Sequence, residues 1–192
     1  MNKRWTCLVL GLLCMACTSN HKAKQTKTPL KVPAAPTVEP VAAQLVMLQD
    51  TEGTRWVGVH FKIKAGWHIY GKDPGDSGLP TRLDWKVHKS IPLSEVYYPP
   101  TQRFADPGNI VTYGYTNETL LLSKMLLSKK TSFTHTSIGV HARWLACHPQ
   151  QCIPGEATFN EQLTFQDHIN PTLQALFKRL WPNLTKETPK AL

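Results

Sequence analysis

The sequence is short of cysteine: five in 192 residues, of which Cys7, Cys14 and Cys17 fall in the first 17. That excludes the dense cross-linking of small secreted scaffolds and leaves Cys147 and Cys152 for any folded part. Glycine is also scarce, 11 residues against 15 prolines, and prolines spread along the chain argue against an all-helical fold. Beyond the N-terminal segment no apolar run is long enough to cross a bilayer, and Leu120 to Leu127 is interrupted by Ser123 and Lys124. Internal repeats are absent. So are a nucleophile elbow, a zinc-binding helix and a P-loop, which leaves hydrolase chemistry without support. The formal charge of +9 is less informative than it looks. Lys3 and Arg4 lie in the N-terminal segment, and Lys22, Lys24, Lys27 and Lys31 lie in a proline-rich stretch. The remainder has no Lys/Arg stripe interleaved with aromatics, so a nucleic-acid partner is not expected.

What is present begins with an export signal. Lys3 and Arg4 precede the apolar stretch Leu8 to Ala16, which is too short to span a membrane. Its end, Leu13-Cys14-Met15-Ala16-Cys17, resembles a bacterial lipoprotein signal in which cleavage exposes Cys17 for lipid attachment, although Cys14 stands where leucine is usual. A plain secretory signal is the alternative, and both place the protein outside the cytoplasm. Residues 17–43 then read as a tether, with Pro29, Pro33, Pro36 and Pro40 among lysines, threonines and alanines. Such a segment cannot bury a core and holds a domain about 25–30 Å from its anchor.

From Leu45 onward the apolar residues recur with period two. Val57, Val59, Phe61, Ile63 and Ala65 alternate with Trp56, Gly58, His60, Lys62 and Lys64, which predicts a strand with one apolar and one mostly polar face. Further strands are expected over 119–127, 135–147 and 157–165, with turn-rich stretches at Lys72 to Pro80 and Pro99 to Asn109. The pattern predicts an all-β, antiparallel sandwich over 44–168. Residues 169–192 are read as a helix and tail. Asn170 can cap the helix, Pro171 suits its first position, and Leu173, Leu176, Phe177, Leu180 and Trp181 fall on one face.

Cys147 and Cys152 are separated by four residues, in Cys147-His148-Pro149-Gln150-Gln151-Cys152, between two strand-like runs. In an oxidising compartment they are expected to pair, with Pro149 and Pro154 restricting the backbone around them. A loop this short restricts the unfolded chain by only about 2 kcal/mol, a weak argument against a purely structural bridge. His148 adjoins the first cysteine, and His141 and Arg143 precede it on the same strand. Such neighbours raise the thiolate fraction. From local spacing alone, staple and reactive site both stay open. Cys147, His148, Cys152, His141 and His68 would also be candidate copper or zinc ligands if they converged, but the eight histidines show no paired ligand spacing.

A longer pattern bears on the choice. The segment Ala65-Gly66-Trp67-His68-Ile69-Tyr70-Gly71-Lys72-Asp73-Pro74-Gly75-Asp76-Ser77-Gly78-Leu79-Pro80-Thr81 is followed by Trp85, Tyr97-Tyr98-Pro99-Pro100, Arg103-Phe104 and Tyr113-Gly114-Tyr115. With Trp144-Leu145-Ala146-Cys147 and Cys152-Ile153-Pro154, it resembles the N-terminal domain of the thiol:disulfide interchange protein DsbD, nearest the branch found in ScsB-type, copper-tolerance-associated reductases. The resemblance implies an immunoglobulin-like sandwich with a redox-active Cys147–Cys152 pair on an inserted hairpin. It implies that Cys152 meets partners while Cys147 resolves, a cycle that needs one exposed sulfur, a second within reach and a cover against stray thiols. It also implies a covering aromatic at Phe104, and Tyr70 and His68 lining the site. The expected partners are thioredoxin-fold oxidoreductases of the envelope, with no cofactor. Relatives continue into a membrane electron conduit and a thioredoxin domain, so a separate membrane electron donor is expected here. The expected location is periplasm-facing and lipid-anchored, at the outer rather than the inner membrane. Gly71 stands where many relatives carry tryptophan. The competing expectations are an immunoglobulin-like binding lipoprotein with a structural disulfide, and a copper-binding protein.

Overall fold

Alternation of apolar and polar side chains builds strands that meet face to face. The computed structural model describes residues 39–88, 91–106, 108–127, 135–164 and 170–182. The expected signal, Cys17 and the tether up to residue 38 lie outside the described residues. Strand β1 (Val41–Gln49) pairs with β2 (Arg55–Ile63), and β2 with β7 (Glu118–Lys124), giving a three-stranded antiparallel sheet. β1 starts at Val41, inside the stretch read as tether, because Val41 is buried and pairs with Ile63.

The second sheet is built on a long hairpin, β8 (His135–His148) and β9 (Gln151–Thr164). β9 lies along one edge of β8. Along the other edge β4 (Arg82–Val87) pairs with residues 138–143, and β3 (His68–Gly75) pairs at Ala146 and Cys147. Strands β6 (Ile110–Tyr115) and β5 (Gln102–Asp106) extend the sheet beyond β3. Val57, Val59, Phe61 and Ile63 from one sheet pack against Ile69, Ile138, Val140, Ala142 and Trp144 from the other. Phe61 meets Trp144 edge-on at 5.4 Å. Each fully buried aliphatic side chain in such a core contributes about 1.5–3 kcal/mol.

Two expectations are corrected. The outward face of β2 is largely covered: Trp56 and His60 are each only 3% exposed, and Lys62 at its end stays exposed. Helix α1 (Pro171–Leu180) lies over that face, placing Leu173, Leu176 and Phe177 against Val46, Leu48, Trp56, Leu120 and Leu122. Asn170 caps the helix as its residue type predicts, its side chain accepting from the backbone N–H groups of Thr172 and Leu173. The two stretches read as turns also contain strand. β3 runs through Lys72 to Gly75, with a register shift between Tyr70 and Gly75, and β5 occupies Gln102 to Asp106. Glycine and proline there mark an irregular strand and a hairpin rather than the absence of pairing.

Candidate redox site

Pro149 and Gln150 form the turn of the β8–β9 hairpin, with His148 paired to Gln151 and Cys147 to Cys152 on the next rung. The cysteines are disulfide-bonded and therefore sit on the strands themselves, one rung from the turn. Their Cα atoms are 4.1 Å apart, the spacing of a non-hydrogen-bonded antiparallel pair. The backbone N–H and C=O of Cys152 accordingly point away from β8. Among the described residues β9 pairs only with β8, so these groups face an open edge.

The two sulfurs have different surroundings. Alternation along β8 sends Ile138, Val140, Ala142, Trp144 and Ala146 into the core, so Cys147 belongs to the outward set. It is nevertheless only 3% exposed, with β3 against its edge and His68 directly across from it. Cys152 is exposed. The structure brings three of the expected lining residues together on the Cys147 side. The His68 ring stacks on Phe104 at 4.6 Å and meets Tyr70 edge-on at 5.1 Å. The aromatic group therefore stands beside the buried sulfur's strand neighbour and leaves Cys152 open.

His148 turns to the other side, packing on Trp67 at 4.5 Å, and its Nδ1 accepts from the backbone N–H of Gln150. His141 and Arg143 lie six and four residues along β8 from Cys147. They are engaged with carboxylates, His141 with Glu156 at 3.1 Å and Arg143 with Asp84 at 2.6 Å. Both side chains are thus engaged with carboxylates on the neighbouring strands, Glu156 on β9 and Asp84 on β4. Among the described residues no group of three or more His, Cys, Asp or Glu side chains is arranged to hold a metal.

Residues outside the expected set complete the lining. Gly78 has φ +97°, and a Cβ there would lie 2.4 Å from the Tyr70 ring, so the loop after β3 packs flat on Tyr70 only because residue 78 is glycine. Thr81 fastens the same loop, its hydroxyl donating to the Tyr70 carbonyl at 2.6 Å, while the Tyr98 hydroxyl donates to the Thr81 carbonyl at 2.8 Å. At Gly71 a Cβ would come within 2.6 Å of the Thr101 methyl, so the approach to β5 fills the space that a larger lining residue would take. Two rungs beyond the disulfide, Leu79, Pro80, Arg82, Trp144 and Pro154 line an open groove of about 510 Å³, with Leu79 60% exposed.

A family model described as "Thiol:disulfide interchange protein DsbD, N-terminal" matches residues 34–164. No curated protein sequence matches the chain. Among solved structures it is similar to the N-terminal periplasmic domain of ScsB from Proteus mirabilis, with a TM-score of 0.54 and 16% identity, over 77% of this chain and 56% of that one. The chain thus spans little more than half the length of that crystallised domain. It is also similar to the reduced N-terminal domain of Neisseria meningitidis DsbD, with a TM-score of 0.45 and 14% identity, over 68% of this chain and 91% of that one. The likeness to ScsB is one of fold, an antiparallel immunoglobulin-like sandwich, and the family model covers most of the chain including both cysteines. The chain belongs to the DsbD N-terminal domain family of thiol:disulfide interchange proteins.

Proposed function

We propose that the protein relays reducing equivalents between thioredoxin-fold proteins of the bacterial envelope through Cys147 and Cys152. The observation that carries this reading is the asymmetry of the pair, one sulfur exposed on an open strand edge and the other 3% exposed beside an aromatic group. A dithiol donor would approach from the β9 side. Its thiolate attacks Sγ of Cys152, a mixed disulfide forms, and the electron pair of the broken bond leaves on Sγ of Cys147. The donor's second thiolate then attacks the donor sulfur of the mixed disulfide, releasing Cys152 as a thiolate. The donor is oxidised to a disulfide and the pair is reduced by two electrons, with two protons taken up as the thiolates are protonated. Delivery reverses these roles: Cys152 attacks the acceptor disulfide, and Cys147 resolves it by attacking Cys152. The outward N–H and C=O of Cys152 offer a partner backbone two hydrogen bonds beside the reacting sulfur, and the apolar groove at Leu79 and Pro154 adds contact area.

In the same reading Cys17 carries lipid, the tether gives the domain its reach, and a separate membrane protein supplies the electrons. Trapping tests the relay. Cys147→Ala in the full chain, expressed in the envelope, is expected to accumulate mixed disulfides through Cys152 with thioredoxin-fold proteins. The wild-type pair is expected to titrate between about −120 and −270 mV, the span of thioredoxin-like proteins. A pair that stays oxidised below about −300 mV and yields only on unfolding is a staple, and that result overturns the proposal.

A further inference from the structure

The loop after β3 does more than pack on Tyr70. Asp76 reaches across to Val111 on β6 and makes two hydrogen bonds with one residue. Its backbone N–H donates to the Val111 carbonyl at 2.9 Å, and its carboxylate Oδ2 accepts from the Val111 N–H at 2.8 Å. The carboxylate thus stands in for a strand backbone where β3 has already ended. Val111 is paired with Ala105, and the next rung is Thr112 with Phe104, so the bridge grips the β5–β6 hairpin one rung from the residue that stacks on His68.

The near side of the bridge is fixed. Gly75, at φ +86°, lets the chain pass so close to β6 that a Cβ would lie 2.4 Å from the Val111 carbonyl, and Asp73 accepts from the Gly75 N–H at 3.0 Å. Gly78 and Thr81 then seat the loop on Tyr70. The far side is held more lightly. On β5 Gln102, Arg103 and Ala105 are exposed and Phe104 is half-buried, and the carboxylate bond itself lies in contact with solvent.

We propose that Asp76 is the positioning residue that keeps the hairpin closed and so holds Phe104 over the Cys147 side of the redox pair. The inference rests on the reading of Phe104 as a cover: the β3–β6 ladder anchors β6 at Tyr115, Gly114 and Thr112, and the exposed charge-assisted bond from Asp76 adds the hold on the Ala105–Val111 end beside Phe104. Loss of that bond loosens this end of the hairpin without disturbing Cys152, which is open already.

The test uses the full chain, reduced, with iodoacetamide as the probe and mass spectrometry to follow each cysteine separately. Asp76→Ala is expected to speed alkylation of Cys147 about tenfold, the scale of one hydrogen bond to a charged group, and to leave the Cys152 rate unchanged. Asp76→Asn keeps an oxygen acceptor for the Val111 N–H and is expected to restore most of the protection. Phe104→Ala is expected to reproduce the effect, and adding Asp76→Ala to it should bring no further gain, because the carboxylate acts through the ring. The folding equilibrium should weaken by no more than the same factor of ten, and the reduction potential should not move. Equal Cys147 rates in wild type and Asp76→Ala, or acceleration of both cysteines together with a lowered denaturation midpoint, overturn the proposal. The relay reading fails on a different measurement, the reduction potential, so the two failures are distinguishable.

Discussion

Both sheets of this sandwich have an outer face that is partly covered, and the two covers are built on different principles. Over the three-stranded sheet lies helix α1, which contributes Leu173, Leu176 and Phe177 to a second core of fully apolar contacts. Trp56 meets Tyr97 edge-on at 5.4 Å and Phe177 at 6.2 Å, and Trp181 closes the group against Tyr97 at 6.3 Å. The other sheet carries the β5–β6 hairpin on its β3 edge, paired through β6 and tied further by one ring stack and one carboxylate bridge. The helix is held as a core is held, so removing it exposes a large apolar area at once. The β5 side of the hairpin, where Gln102, Arg103 and Ala105 are exposed, is held by directional contacts at its rim. The cysteine pair proposed for exchange lies beside this second kind of cover.

The largest effect that sharpens this contrast is expected on the helix side. Phe177→Ala should cost about 3–5 kcal/mol in chemical denaturation and leave the reactivity of Cys147 and Cys152 unchanged. A change in cysteine reactivity of the kind produced at the hairpin would show that the two covers are coupled. Reduction of the disulfide comes next. It closes a loop of only about six residues, so the reduced domain should lose no more than about 2 kcal/mol and keep its circular dichroism. A collapse of the sandwich on reduction would move this bridge into the structural class.

The third effect is a pH dependence confined to the helix side. Nε2 of His60 lies 3.1 Å from Oε2 of Glu118, and Arg179 of the helix reaches the other carboxylate oxygen at 2.8 Å, with Lys62 nearby on β2. Burial pushes the His60 pKa down, outweighing the pull of Glu118. Burial pushes Glu118 up, but hydrogen bonds and charge from His60 and Arg179 outweigh it and hold the carboxyl below its ordinary range. Both folded-state values are depressed, so both groups bind fewer protons folded than unfolded. Stability is therefore complete above the ordinary histidine value of 6.5, begins to fall below it, and falls further below 4.5 as Glu118 is protonated. Denaturation curves across pH 4 to 8 measure this, and His60→Gln should remove the upper limb. The smallest effect belongs to Arg179→Ala, where an exposed ion pair is worth less than about 1 kcal/mol. A larger loss would mean that this pair, rather than the apolar face, holds the helix.

Much of this was legible in the residues. Period-two alternation marked β2, β8 and β9, and the sequence around Asn170 and Pro171 marked the helix with its cap. The pairing of the cysteines across a short loop also followed, but not their register, which sets them on the strands one rung from a two-residue turn. Legibility failed where a face is covered by something distant in the chain. Trp56 and His60 belong to the mostly polar face of β2, and it is the docking of residues 173–177 that covers Trp56 there, while Lys62 stays exposed. It failed again at β3 and β5, where glycines and prolines hide pairing that depends on neighbouring strands. The lining residues His68, Tyr70 and Phe104 came from resemblance, since nothing local tells a stacked histidine from a surface one. Asp76 had no signal at all, because its partner lies 35 residues away.

The open edge of β9 carries one more consequence. Pro154 falls on the same alternation as Cys152, so its ring nitrogen faces the side away from β8, where a proline leaves the hairpin's own ladder intact. A foreign strand laid along that edge finds both a donor and an acceptor at Cys152, then an acceptor and no donor two residues on. A ladder continued from Cys152 is thus interrupted at its next rung, so under the proposed relay this end of the edge seats a single rung of a partner beside the reacting sulfur.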